Sequence, residues 1–433
     1  MRIDELIIYR NFGEEGELLQ KISWLMENYK VESVSHIQKQ KVYYECLHLL
    51  LAIAEKSGFC GNLWHCYLAE LLVSNENSYS TACEITGPVE GSINDAVLHD
   101  IEIFRELFDA DFADLNKTIP VNGFPLIENY IPAQQESKVY NSRIRDRICT
   151  LAKDLGSAAG AVQMKDILTQ FYKEYGVGKF GLHKAFRVLD TEEGTKIVPI
   201  LNIAHVYLSD LVGYEAAKQK LIDNTEAFVS HRHANNVLLY GDAGTGKSSS
   251  IKGIANEYYD KGLRIIELYR YQFKDLNDII AQIKNRHYRF IIYMDDLSFE
   301  DFETDYKYLK AFIEGGLEKK PSNVLIYATS NRRHLIRENY SDKLDGELDM
   351  HTSDTMQEKL SLASRFGMAI YYGEPTPKEF KEIVLALARK NNVQMPEEEL
   401  LAAANKWQVS HAGFSGRVAQ QFIDYVLGTM EKK

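Results

Sequence analysis

Apolar positions in the second half of the chain come in short, dense runs, each closed by polar or glycine-rich residues. Val237-Leu238-Leu239-Tyr240, Leu263–Leu268, Phe290–Met294, Asn323–Ala328 and Met368–Tyr372 are such runs. Continuous apolar segments of this length, bounded by turn residues, predict strands buried on both faces. Residues with helical character lie between them, at Ser249–Tyr259 and Asp275–Lys284. Strands alternating with helices predict a five-stranded parallel sheet covered by helices on both sides. Beyond residue 375 the pattern becomes helical, with Phe380, Val384, Leu387 and Ala388 on one face. The first half differs: Gln38–Lys56, Leu63–Val73, Ile93–Phe112 and Lys138–Tyr175 carry apolar residues at helical spacing. Asn94-Asp95 offers a cap for the third of these, and Asn116–Gln135, with three prolines, reads as a connector. The expected layout is a mostly helical acidic domain over 1–190, an α/β domain over 205–375 and a helical lid over 376–433. Thr191–Leu211 would be the linker.

Composition narrows the class. With 45% hydrophobic and 26% charged residues, a chain of 433 residues can build ordinary globular cores. Net charge is −12, most of it before residue 200, so a nucleic-acid surface is not indicated by charge. No apolar run approaches the ~20 residues that a bilayer span needs. The acidic first residues lack the pattern of a signal peptide, so a cytoplasmic protein without a membrane partner is expected. Five cysteines without a C-x-x-C pair suit a reducing compartment. His65 and Cys66 lack a second ligand pair and read as packed side chains rather than a metal site.

Candidate chemistry gathers at the ends of the strands. Gly241-Asp242-Ala243-Gly244-Thr245-Gly246-Lys247-Ser248 follows the first run at once and has the spacing G-x-x-x-x-G-K-S. Glycines at these places let backbone N–H groups wrap a polyphosphate. Lys247 adds a charge against its outer phosphates, Ser248 offers a hydroxyl to Mg²⁺, and Ser249 continues into a helix whose N-terminus faces the anion. Upstream, Val212 and Gly213 belong to a short apolar segment suited to covering a purine ring. Asp295 and Asp296 end the third strand, where open α/β sheets bind ligands. Asp295 is the candidate to hold Mg²⁺ through water, and Asp296 to orient or deprotonate an attacking water. Asn331, past the fourth strand, can hold that water or the γ-phosphate. Arg365, before the last strand, is a candidate finger for a transferred phosphoryl group. Arg417 sits in the first turn of a helix, where a cation needs an anionic partner. A phosphate, or a carboxylate from an acidic loop at Glu397–Glu399, would serve. Gly176, Gly178 and Gly181 spell G-x-G-x-x-G, but helical character precedes them, so they read as a helix-ending turn.

Taken together, these motifs resemble those of an AAA+ ATPase over about residues 205–433. Gly241–Ser248 corresponds to Walker A, Phe290–Asp296 to Walker B, Asn331 to sensor 1, Arg365 to the arginine finger and Arg417 to sensor 2. More closely, NTEAF, ANNVLLYGDAGTGKSS, DDLSFE, YATSNRRHL, LSLASRFG and FSGRVAQQFIDY are similar to a bacterial family. It is catalogued as domain of unknown function 815 and described as AAA+ ATPases predicted from sequence. The resemblance implies ATP and Mg²⁺ as cofactors and hydrolysis coupled to remodelling or switching of a protein partner. It also implies a homo-oligomer in which Arg365 reaches a neighbour's nucleotide. Asp295-Asp296 departs from the usual Asp-Glu, a feature shared with the replication-initiator and helicase-loader branch, as is Ser364-Arg365-Phe366. A DNA-associated loader or initiator-like ATPase and a nucleotide-gated binding module with little turnover therefore stay open. No N-K-x-D guanine motif occurs, so a GTPase is not expected.

Overall fold

The computed structural model describes the chain except residues 1, 120–122, 133–136, 138, 141, 193, 202, 205, 300–305, 315–319, 332–363, 412 and 431–433. Glu300 of DDLSFE, the end of YATSNRRHL and the start of LSLASRFG thus lie outside the described residues. The chain divides into two compact units, Met1–His183 and Lys184–Lys433.

The first unit is helical. Helices His36–Ser57, Leu63–Ser74, Ile93–Phe108, Ser142–Gly156 and Ala161–Tyr175 enclose a core that includes Tyr43, Trp64, Phe104, Leu168 and Tyr172. Helix Leu63–Ser74 is buried along nearly its whole length. It starts where the Asn62 side chain accepts the His65 amide at 3.1 Å, which satisfies one orphan donor of the first turn. Helix Ile93–Phe108 does not use Asn94-Asp95 as a cap and stops four residues earlier than its pattern suggests. Asn94 instead donates to the Val89 and Gly91 carbonyls of the preceding turn. Gly176, at φ 80°, closes helix Ala161–Tyr175, and the rest of GVGKFG opens a short helix, Gly178–Leu182, so a helix and not a strand precedes these glycines. The buried carboxylate of Asp100 accepts the amides of Ile7, Ile8 and Tyr9 and fastens the first residues to this core. His65 is spent on the Phe108 carbonyl at 3.0 Å, and all five cysteines are free thiols.

Among the described residues, the second unit is built on a sheet of seven strands, where the sequence pattern predicts five. They are β1 (Ala185–Thr191), β2 (Gly194–Pro199), β3 (Val237–Gly241), β4 (Leu263–Glu267), β5 (Arg289–Met294), β6 (Val324–Ser330) and β7 (Met368–Tyr372). Their order is β2-β1-β4-β5-β6-β3-β7. The five expected strands are parallel to one another, and β1 extends them in parallel beside β4. Among the described strands, only β2 runs antiparallel, folding back on β1. The first part of the expected linker is therefore sheet. Every residue of β5 and β6 is buried, as central parallel strands require.

One of the quoted sequence stretches, NTEAF, has a packing role. In helix Glu215–Val229, Asn224 donates to the Asn235 carbonyl at 2.9 Å and accepts the Asn235 amide at 2.9 Å. Asn224 and Thr225 also meet the buried Tyr327 hydroxyl at 3.0 and 2.9 Å, so NTEAF ties β3 and β6 to one helix. The lid follows β7 as helices Pro377–Lys390, Glu397–Ser410 and Gly416–Met430, with a core of its own around Phe380, Val384, Ala419 and Phe422. Thr376 and Glu379 form a capping box at its entrance. Glu397–Glu399 are the first turn of a helix rather than a loop, where negative charge complements the helix dipole. Among the described residues, no helix is long and apolar enough to cross a membrane.

Candidate functional site

At the C-terminal ends of the parallel strands, a cavity of about 760 Å³ opens between the sheet and the lid. Its position is the one that strand order dictates. β3 lies between β6 and β7, so the strand order reverses beside it, and open α/β sheets bind ligands at such a switch point.

The loop after β3 forms one wall. Gly241, at φ 135°, brings the backbone against β7 so closely that a Cβ would run into the Tyr372 carbonyl. Gly246, at φ 94°, is the left-handed residue that starts helix Lys247–Tyr258. Ala243, Gly244, Thr245, Gly246, Lys247, Ser248 and Ser249 all line the cavity. Asp242 does not; it ties the loop to the start of the lid by accepting the Glu374 amide at 2.9 Å. Lys247 is only 6% exposed and donates to the Gly241 and Asp242 carbonyls at 2.9 and 2.6 Å. Burial holds its ammonium below the ordinary lysine value, against the pull of Asp242, Asp296 and Asp295. The loop is thereby organised around a desolvated cation.

Across from it stand the ends of β5 and β6. Ser248 donates to Asp295 Oδ1 at 2.7 Å, and Thr329 donates to the same oxygen at 2.5 Å. Burial works to raise the Asp295 carboxyl, but the hydrogen bonds that Thr329 and Ser248 direct at it prevail and leave it below the ordinary value. Asp296 has φ 49°, in the left-handed region. Its Oδ1 accepts Asn331 Nδ2 at 2.9 Å. The two carboxylates and the asparagine face one cavity with the phosphate loop, although up to 90 residues separate them in sequence.

The lid and the segment before the core close the remaining sides. Arg417 lines the cavity, and its amide donates to the Gly244 carbonyl at 3.2 Å. Val212 lines it too, whereas Gly213 does not. Arg365, half-buried just before β7, lies outside the cavity lining. Sequence reasoning missed other lining residues. Tyr214 stacks on Tyr372 at 5.2 Å between ring centroids. Asp210 and Lys390, both in the wall, form an ion pair at 2.7 Å that fastens the lid to the segment before the core. Tyr214 is adjacent to the apolar Leu211-Val212-Gly213 segment and could have been suspected. Asp210 and Lys390 are 180 positions apart and carry no local signal.

A parallel sheet of this order, a glycine-rich loop clasping a lysine between strand and helix, and a C-terminal helical lid define a phosphate-loop protein of the AAA+ class. The chain belongs to the family described as "Protein of unknown function (DUF815)", whose model matches residues 182–430. A stretch of 73 residues is 36% identical to the replication factor C large subunit of Staphylothermus marinus, spanning 17% of this chain and 16% of that protein. Among solved structures, the RuvB Holliday junction branch migration motor of Thermotoga maritima is similar at 19% identity and a TM-score of 0.36. That match covers 52% of this chain and 71% of the motor. A variant of the same motor is similar at 19% identity and a TM-score of 0.37, over 53% and 73%.

Proposed function

We propose that the chain binds ATP in this cavity and hydrolyses it, using the free energy to remodel or switch a protein partner. The observation that carries the reading is convergence: Lys247, Ser248, Asp295, Asp296, Asn331 and Arg417 line one cavity. Its volume is that of a small-molecule site. Lys247 would exchange its loop carbonyls for the β- and γ-phosphate oxygens. Loop amides and the helix N-terminus hold the same anion, with Val212 against the base. Ser248 Oγ and Asp295 Oδ1 are adjacent hard oxygen donors and suit Mg²⁺. Bound there, Mg²⁺ supplies charge neutralisation of the phosphates. Asp296 takes a proton from the water that attacks the γ-phosphorus, while the bond to the bridging oxygen of ADP breaks. Asn331 holds the Asp296 carboxylate, and Arg417 binds the γ-phosphate from the lid. Arg365, outside its own cavity, serves a neighbouring subunit's nucleotide, which makes the active form a homo-oligomer.

A second reading has an observation of its own. Asp296 stands where most AAA+ proteins carry a longer glutamate, and its carboxylate is tied to Asn331. A nucleotide-gated switch with little turnover fits that arrangement, and single-turnover ATP hydrolysis separates the two. The test of binding is Lys247→Ala, which removes a charge-assisted contact of roughly 1.5–3 kcal/mol, about ten- to hundred-fold in ATP affinity. A folded Lys247→Ala protein with unchanged affinity overturns the reading.

A further inference from the structure

Thr329, which belongs to none of the site motifs, is hydrogen-bonded to three consecutive residues at the end of β5. It is the sixth residue of β6, only 2% exposed, and its single hydroxyl joins two neighbours that lead out of β5. It donates its proton to Asp295 Oδ1 at 2.5 Å and accepts the Asp296 amide at 2.9 Å. Its backbone carbonyl accepts the Leu297 amide at 2.7 Å, closing the same turn from the other side. A hydroxyl has one proton, so these two bonds assign both roles: donor to one aspartate and acceptor from the next.

The turn so held is an uncommon one. Asp296 sits at φ 49°, a conformation that strains a residue with a Cβ and persists only if its surroundings over-determine it. Thr329 supplies that determination from an adjacent strand, because β5 and β6 are in register with Met294 opposite Ala328. Asp295 Oδ1 meanwhile receives protons from both Ser248 and Thr329. If Ser248 turns its lone pairs towards a cation, Thr329 still orients the carboxylate.

We propose that Thr329 is a positioning residue: one hydroxyl orients Asp295 for a divalent cation and locks the left-handed turn that aims Asp296. This inference rests on the ATP-hydrolysis reading. It identifies how an aspartate can stand in the place of a glutamate: the backbone turn, rather than an extra methylene, sets where the carboxylate lies. Three variants test it. Thr329→Val keeps the shape and removes both bonds, Thr329→Ser keeps the hydroxyl, and Thr329→Ala repeats the deletion should valine prevent folding. Binding of a fluorescent ATP analogue is measured in EDTA and across a Mg²⁺ titration, beside steady-state hydrolysis. Thr329→Val should bind the analogue in EDTA as wild type does. It should need about tenfold more Mg²⁺ for half-saturation, the scale of one charge-assisted hydrogen bond, and turn over at least tenfold more slowly. Thr329→Ser should return both quantities to within about threefold of wild type. Wild-type Mg²⁺ dependence and turnover in Thr329→Val, or equal loss of analogue binding in EDTA by Val and Ser variants, overturns the positioning role alone. A wild-type protein whose ATP binding ignores Mg²⁺ overturns the site reading and this inference with it.

Discussion

Glu70 makes the stability of the helical unit depend on pH in an unusual direction. It lies in the buried helix Leu63–Ser74 at 8% exposure, where Oε1 accepts the Ser57 hydroxyl at 3.1 Å and the Tyr140 hydroxyl at 2.9 Å. Burial pushes its carboxyl up to about 7, and the Glu15 carboxylate adds to the push. The two hydroxyl donors and Lys56 oppose it. The folded value thus stands above the ordinary 4.5, and the folded state holds the extra proton. Its contribution is complete below about pH 4.5, declines as pH rises through about 7 and is flat beyond. The interval of about 2.5 units corresponds to something on the order of 3 kcal/mol. Glu70→Gln keeps a carbonyl oxygen for both donors and cannot ionise. It should match wild type near pH 4.5 and exceed it by about that amount at pH 8. Equilibrium urea unfolding in a Trp407→Phe background, with Trp24 and Trp64 as fluorescent reporters of this unit, measures both. Parallel stability curves for the two proteins from pH 4.5 to 8.5 would refute the argument, as would a Gln variant weaker than wild type at pH 8.

Three further outcomes concern the cavity. Asp296→Asn keeps the size of the side chain and removes the base, so ATP binding should persist while hydrolysis falls; normal hydrolysis by this variant moves the water-activating role elsewhere. Arg417→Ala should weaken ATP binding more than ADP binding in paired titrations, and an equal effect on both denies a γ-phosphate contact. Arg365→Ala and Lys247→Ala should each be inactive alone and regain activity when mixed, because a finger acting between subunits can be worth roughly 10³–10⁵ in rate. A mixture that stays inactive, with specific activity unchanged on dilution, returns Arg365 to a structural role.

The core strands are legible in the sequence because β3, β5 and β6 are buried on both faces and need uninterrupted apolar runs. The phosphate loop is legible because backbone sterics demand glycine at Gly241 and Gly246. β1 and β2 are harder to read: their inward residues Phe186, Val188 and Ile197 alternate with polar ones, and only Ala185–Arg187 pair with the main sheet. The hairpin therefore looks like the polar linker it borders. Thr329 is hidden for a different reason. Its importance depends on β6 lying beside β5, and adjacency in a parallel sheet is not adjacency in sequence. Asp210 and Lys390 are hidden likewise, being joined only once the lid has folded over the cavity.

The β1–β2 hairpin also decides what the sheet can stick to. A sheet that ended at β4 would present a flat, apolar parallel strand whose free N–H and C=O groups invite another chain to add on. β2 replaces it with an edge of six residues that begins at Gly194, carries the exposed Lys196 and finishes on Pro199, which has no amide to donate. Short length, a lysine and a proline are the devices by which natural sheets resist aggregation and strand exchange. On this edge, then, copies of the chain are discouraged from joining through their backbones. Replacing Lys196 with Val and Pro199 with Thr should turn a well-behaved protein into one that forms β-rich aggregates on concentration.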